Sequence, residues 1–159
     1  MNLLHALGTA ALATAAVTAA WFDLHRRIVP NLLCAATFVA GLGFVAAVSG
    51  TAAAGLALLH GAMALAAGMG LFAARLVGGG DAKFYAAVAA WFPIARGFTL
   101  LEAVALAGLV LTMALWWPLR SRRRRAQAAG TLEQSVSFTM VPYAVAIGAG
   151  GVIARVVAG

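Results

Sequence analysis

Charged residues are scarce in this sequence. Only 9% of its 159 residues are charged, and just four of them are Asp or Glu, whereas soluble domains carry about 25% charged residues. So few charges cannot cover the surface of a folded core, which excludes a soluble globular domain. The 64% share of hydrophobic residues also excludes a disordered chain. This composition predicts a membrane protein that crosses the bilayer several times.

Cysteine is nearly absent as well. Cys34 is the only one in the sequence, which excludes an internal disulfide and every metal site built from paired cysteines. The sequence also contains neither the HExxH motif of zinc proteases nor a phosphate-binding Walker loop. We therefore expect Cys34, His5 and His60 to be packing residues of a helix bundle, and we predict no cofactor and no metal ion.

The basic residues could suggest a nucleic-acid partner, since the formal net charge is +7. Their positions argue against it, because they are few and lie between long apolar stretches. A very apolar chain with a basic excess more often follows the positive-inside rule, in which cations collect in cytoplasmic loops. We predict no nucleic-acid partner, and a single membrane-embedded domain over residues 1–159 surrounded by the lipid bilayer.

Runs without Lys, Arg, Asp or Glu define the membrane spans. A span needs about 20 mostly apolar residues, and residues 28–74 form a charge-free run of 47. That run is long enough for two spans joined by a turn near Gly50. The whole pattern predicts an all-α, polytopic membrane protein, a bundle of six transmembrane helices. The six predicted helices are 2–22, 31–49, 53–76, 82–95, 98–119 and 139–157.

The cations orient this bundle. With the N-terminus outside, nine Lys and Arg residues lie on the inner side, and two, Arg96 and Arg155, lie on the outer side. Both termini are then predicted outside, and the segment from Arg120 to Ser137 is predicted to be a polar cytoplasmic linker. The nine inner cations are Arg26, Arg27, Arg75, Lys83, Arg120, Arg122, Arg123, Arg124 and Arg125.

Asp23 and Asp81 are the only aspartates. Because the second and third predicted spans go out and return, both aspartates fall at the inner face. Asp81 follows three glycines, 78–80, which we expect to break the third helix and to let another chain approach the backbone closely. The 15 residues from Asp81 to Ala95 would rise about 22 Å, which is less than the hydrocarbon core of about 30 Å, so water should enter there.

Two carboxylates in contact with water can hydrolyse a peptide bond without a covalent nucleophile. One is ionised and activates water, while the other is protonated and polarises the scissile carbonyl. We expect Asp81 to be the ionised base, because it opens a helix whose positive end favours a carboxylate, and Asp23, which closes a helix, to hold the proton. From charge alone the two could equally be interface anchors that pair with neighbouring cations. The glycine run favours catalysis.

Three segments resemble the type IV prepilin peptidase family. Residues 23–31 (DLHRRIVPN) resemble its first aspartate motif, in which Asp precedes basic residues and Ile-Pro-Asn, with Val29 in place of the usual Ile. Residues 78–83 (GGGDAK) resemble its Gly-x-Gly-Asp-x-Lys motif, shared in part with preflagellin peptidases and presenilin-like proteases. Residues 141–144 (VPYA) resemble the start of its last helix. The compact chain is similar to the peptidases of tight-adherence pilus systems.

The resemblance implies an aspartic endopeptidase of the bacterial cytoplasmic (inner) membrane, with Asp23 and Asp81 as the catalytic pair. Its substrates would be prepilins or pseudopilins, cut at the cytoplasmic face after a glycine, between a basic leader and an apolar helix. The chain lacks the cytoplasmic region with paired cysteines of larger bifunctional members, so we predict no N-methyltransferase activity. The residues assigned to substrate binding are Gly78, Gly80, Lys83, Pro142 and Tyr143.

A small proton-coupled transporter, or a membrane subunit of a secretion apparatus, is the alternative. Asp23 and Asp81 would then relay protons, with Glu102 and His60 as a possible further pair. A transporter is expected to carry ionisable groups through the bilayer midplane. This chain gathers its aspartates at one face, which favours the peptidase.

Overall fold

The computed structural model of the chain describes residues 3–128 and 143–158, with the backbone alone for 115–128 and 158. Within these ranges the chain is helical and forms no strand. The helices are α1 (Leu3–Arg26), α2 (Asn31–Ala73), α3 (Gly79–Ala89), α4 (Gly97–Ala128) and α5 (Tyr143–Ala158), with a 3₁₀ turn (Ile94–Arg96) before α4. Three stretches are long and apolar enough to cross a membrane, namely Leu3–Arg26, Asn31–Ala73 and Ile94–Ala114. The predicted all-α membrane protein is confirmed.

Helix α2 is a hairpin of two arms. Gly50 has φ 84° and ψ 172°, a conformation that glycine adopts because it has no Cβ. Gly61 packs against the ring of Phe38, although these residues would lie about 35 Å apart on a straight helix. The arms, 31–49 and 51–73, therefore run antiparallel. This confirms the predicted turn near Gly50 and returns the chain to the end of the bundle where α2 began.

Arg75, and not the glycine run, ends the second arm of α2. The N–H of Leu76 donates to the carbonyl of Leu71 over 2.9 Å, a hydrogen bond typical of a Schellman C-cap. Arg75 takes the left-handed conformation of that cap, with φ 60°. Gly79 and Gly80 are already the first two residues of α3. The expectation that the glycines break the helix is therefore wrong.

Helix α3 is shorter than predicted. It ends at Ala89 rather than near 95, because the chain turns where the side chains of Trp91 and Phe92 are buried. A hydrogen bond of 3.0 Å from Trp91 Nε1 to the carbonyl of Thr37 holds this turn in place. With 11 residues, α3 rises only about 16 Å.

Helix α4 is longer than predicted, since it continues past residue 119 to Ala128. Residues 120–128 of the expected polar linker are therefore helical, in keeping with the good helix propensity of their arginines. The rest of that linker, and the predicted start of the last helix at 139, lie outside the described residues.

Helix α5 packs between α1, α3 and α4. Gly148 of α5 lies against Ala16 of α1, and Gly68 of α2 lies against Ala82 of α3. At both contacts the small side chains let the two helices approach closely. Helix α3 lies within the core of the bundle, where its Phe84 and Val88 are fully buried.

Candidate active site

Asp23 lies in the last turn of α1. Its main-chain carbonyl accepts the N–H of Arg27 over 3.0 Å, and Arg27 ends the helix in the left-handed conformation with φ 53°, an αL cap. Its carboxylate Oδ2 accepts the main-chain N–H of Ala144 over 3.2 Å. Asp23 is thereby fixed to the start of α5, 121 residues further along the chain.

Asp81 is the third residue of α3, and Gly78 is the N-cap of that helix. The Asp81 carboxylate lies directly over Gly78, since a Cβ on Gly78 would be 2.8 Å from Asp81 Oδ2. Real Cβ atoms essentially never come so close to another heavy atom. Gly78 therefore provides the space that the Asp81 carboxylate occupies.

The segments that carry Asp23 and Asp81 contact each other at two points. Lys83 Nζ donates to Asn31 Oδ1 over 3.1 Å. Gly80 lies against the backbone of Val29, where a Cβ on Gly80 would be 3.6 Å from the Val29 nitrogen. The structure therefore brings residues 23–31, residues 78–83 and the start of α5 together at one end of the bundle, which we call the aspartate end.

The carboxyl of Asp81 lies outside the three candidate membrane spans. Burial, and secondarily the nearby charge of Asp23, raises the pKa of Asp81 from 3.8 to about 6. The segments that carry the two carboxyls meet through the hydrogen bond from Lys83 to Asn31. The sequence-based expectation was that the helix dipole makes Asp81 the ionised member. The raised pKa of Asp81 acts against that expectation, and which member of the pair holds the proton stays a prediction.

The residues assigned to substrate binding divide into three groups. Gly78 leaves room for the Asp81 carboxylate, and Gly80 packs against Val29. Lys83 donates a hydrogen bond to Asn31. Tyr143 opens α5 with 51% of its surface exposed, beside the Ala144 N–H that binds Asp23. Pro142 lies outside the described residues.

Sequence reasoning missed three contacts of the site. Asn31 and Ala144 both lie in segments that carry the family resemblance, so the motifs themselves could have indicated them. The ring of Phe72 lies 3.3 Å from the position of a Cβ on Gly79, and no sequence pattern indicates that contact.

The other candidate residues lie apart from the aspartates. His60 is buried, and its Nδ1 lies 3.0 Å from the carbonyl of Phe92. Cys34 is buried with a free thiol. Both are confirmed as packing residues. Glu102 is exposed on α4, and the carbonyl partner of His60 argues against the Glu102–His60 pair that a transporter would use.

The Lys83–Asn31 hydrogen bond is expected to position the two aspartates. Lys83→Met and Asn31→Ala should each lower kcat/KM for the peptide cleavage that the resemblance implies by roughly tenfold, since a hydrogen bond to a charged group contributes on the order of 1.5 kcal/mol. The double variant should be no worse than either single variant. Asn31→Asp, which keeps the acceptor, should retain activity. Additive losses in the double variant would contradict this role.

Comparison with known proteins identifies the family. A sequence profile of the type IV leader peptidase family matches residues 10–113, well over half of the chain. The matched segment contains both aspartates, the α2 hairpin between them and the Lys83–Asn31 link. No curated protein and no solved structure matches the chain. The chain belongs to the type IV leader peptidase family.

Proposed function

We propose that this leader peptidase is an aspartic endopeptidase with Asp23 and Asp81 as its catalytic pair. It removes the basic leader of prepilins or pseudopilins at the cytoplasmic face of the bacterial inner membrane, as a bundle of six spans with both termini outside. One observation carries the proposal. The segments that carry the two aspartates, 58 residues apart in sequence, meet through the hydrogen bond from Lys83 to Asn31.

The surroundings of the two carboxyls support a division of labour opposite to the sequence expectation. Asp81 holds a proton up to a pKa of about 6, so it donates a hydrogen bond to the scissile carbonyl. Asp23, held by the Ala144 N–H, takes a proton from water as the water attacks that carbonyl. The tetrahedral intermediate then breaks its C–N bond, and the proton taken up by Asp23 passes to the leaving amine.

Neighbouring side chains support a substrate with an apolar segment. Leu76 and Val77, in the turn that leads to Asp81, are 71% and 37% exposed, and a helix leaving the scissile bond can lie against them. The exposed ring of Tyr143 borders the site from the α5 side.

The function is tested in membranes that contain the full chain and a candidate prepilin. The expected product is a pilin shortened by its leader, with an unmodified amino terminus in the mass spectrum, because we propose no N-methyltransferase activity. The control is the double variant Asp23→Asn/Asp81→Asn, which should leave the prepilin uncut. Equal cleavage by both proteins would refute the proposed pair, and a methylated terminus would refute the single activity.

Cleavage is expected to be favoured by mildly acidic conditions. The mechanism needs the proton on Asp81, and this proton is lost as the pH rises through about 6, the raised pKa of Asp81. The value of kcat/KM should therefore fall above that pH. In Asp23→Asn, the pKa of Asp81, followed by infrared spectroscopy, should be lower because one cause of the shift is gone. A kcat/KM that instead rises through pH 6 would make Asp81 the base.

The orientation of the bundle has its own test. In a Cys34→Ala background, Ala128→Cys at the end of α4 should react with an impermeant thiol reagent from the cytoplasmic side only. Thr51→Cys, next to the hairpin turn and exposed, should react from the opposite side only. The reverse pattern would separate the aspartates from a cytoplasmic leader and refute the proposed topology.

A further inference from the structure

Tyr85 lies one helical turn beyond Asp81 on the same face of α3. Four residues of an α-helix advance by about 6 Å and return to nearly the same direction. The ring of Tyr85 therefore follows the Asp81 carboxyl along the helix, away from the aspartate end. The ring packs against the hydrophobic core, and the side chain as a whole is half-buried. The proposed mechanism gives Tyr85 no role.

The face of α3 that carries Tyr85 lies between two neighbouring helices. Ala82 of α3 lies against Gly68 in the second arm of α2, and Val88 of α3 lies against Gly151 of α5. Since each residue turns an α-helix by about 100°, Tyr85 is directed about 60° away from each of these two contacts. Tyr85 is therefore placed between the second arm of α2 and α5.

The phenol oxygen of Tyr85 is accessible and unpartnered within the described part of the chain. Among the side chains of residues 3–114 and 143–157, the one buried oxygen or nitrogen without a hydrogen-bond partner belongs to Thr37. Tyr85 Oη forms no hydrogen bond with these residues either, so it is not buried. A phenol oxygen both donates and accepts hydrogen bonds, and here it is available to a bound molecule.

The proposed function brings one part of the substrate to this level of the bundle. The basic leader is cytoplasmic and the apolar helix lies in the bilayer, so the residues after the scissile bond extend from Asp81 toward Tyr85. The distance of about 6 Å corresponds to two extended or four helical residues. The N–H groups in the first turn of a helix have no partner within that helix, and leaving them unpaired in apolar surroundings is costly.

We propose that Tyr85 is a specificity-determining residue whose phenol oxygen accepts a main-chain N–H from the first turn of the mature apolar helix. This inference rests on the proposed function and adds the residue that recognises where the apolar helix begins. The hydrogen bond forms in the bound substrate and persists in the transition state, so it strengthens binding and does not accelerate the chemical step.

Tyr85→Phe tests the role of the oxygen, because it keeps the ring. The full chain in lipid nanodiscs is given a synthetic prepilin peptide that contains the leader and the start of the apolar segment. Tyr85→Phe should raise KM roughly fivefold and leave kcat unchanged, as expected when a neutral hydrogen bond of uniform strength is lost. The pH at which kcat/KM falls by half should not move, because Asp81 is untouched.

Thr112→Val is the matched control, since it also removes one hydroxyl from a helix. The Thr112 hydroxyl already donates to the carbonyl of Gly108 over 2.7 Å, so this variant should cleave the peptide as the wild type does. An equal rise of KM in Thr112→Val would make the effect nonspecific and would overturn the inference.

Ester substitution in the peptide identifies the donor. In three further peptides an ester oxygen replaces the N–H of the second, third or fourth mature residue. One ester should raise KM for the wild type roughly fivefold, and Tyr85→Phe should cause no further loss with that peptide. An unchanged KM of Tyr85→Phe with the amide peptide, a loss that persists with all three esters, or a shifted pH profile would overturn the inference and leave the peptidase intact. No cleavage by the wild type would refute the proposed function, and this inference with it.

Discussion

Leader cleavage is expected to fall at least about 10³-fold in Asp23→Asn and in Asp81→Asn, because each removes one half of an acid–base pair whose members contribute factors of this order. Asparagine keeps the size of the side chain and most of its hydrogen-bonding capacity, but it can neither take up nor release the proton. The losses should not add in the double variant, since each single change already disables the pair.

The matched control is Glu102→Gln, which removes the exposed carboxylate of α4. It should cleave the prepilin at the wild-type rate. Membrane insertion of all variants is checked by their labelling pattern at the hairpin turn. Near wild-type cleavage by either single aspartate variant would mean that the pair is wrongly assigned.

Gly78→Ala is expected to lower kcat/KM by about ten- to a hundredfold, although it leaves both aspartates in place. The added methyl group would lie 2.8 Å from Asp81 Oδ2, so the carboxylate must move away. A displacement of about 1 Å in a catalytic group can cost a factor of 10². Gly78 has φ −71°, which alanine adopts easily, so the loss would come from the contact and not from backbone strain.

Gly80→Ala is the control for that experiment. Its Cβ would make an ordinary contact of 3.6 Å with Val29, and alanine favours the first turn of a helix over glycine, so near wild-type activity is expected. The sequence resemblance assigns both Gly78 and Gly80 to substrate binding. A branched side chain there, as in Gly80→Val, should still impair cleavage by crowding Val29 and the approaching substrate. If Gly80→Ala lost more activity than Gly78→Ala, the role given to Gly78 would be wrong.

The sequence alone predicted that the two aspartates lie at the same end of the bundle. Each lies in a family motif, and the charge-free run between them is long enough for a hairpin. It missed the end of the second arm of α2, because a Schellman cap usually places glycine at the left-handed position. Here Arg75 takes that position, and the glycines that suggested a break open the next helix instead.

The raised pKa of Asp81 and the length of α3 depend on tertiary packing, which the sequence pattern does not contain. A helix dipole contributes about 0.3–1 kcal/mol at an exposed terminus, whereas the pKa of Asp81 is raised chiefly by its burial. The early end of α3 depends on the hydrogen bond from Trp91 to the carbonyl of Thr37, between residues 54 positions apart.

The hydrogen bond from Ala144 to Asp23 bears on the timing of activity during biosynthesis. The ribosome makes both aspartates well before it makes α5, so a nascent chain already inserted through α4 lacks the donor that fixes Asp23. The peptidase would then become active only after α5 has entered the bilayer. An incomplete chain beside the translocation machinery would not cut the leaders of substrates that are being inserted there.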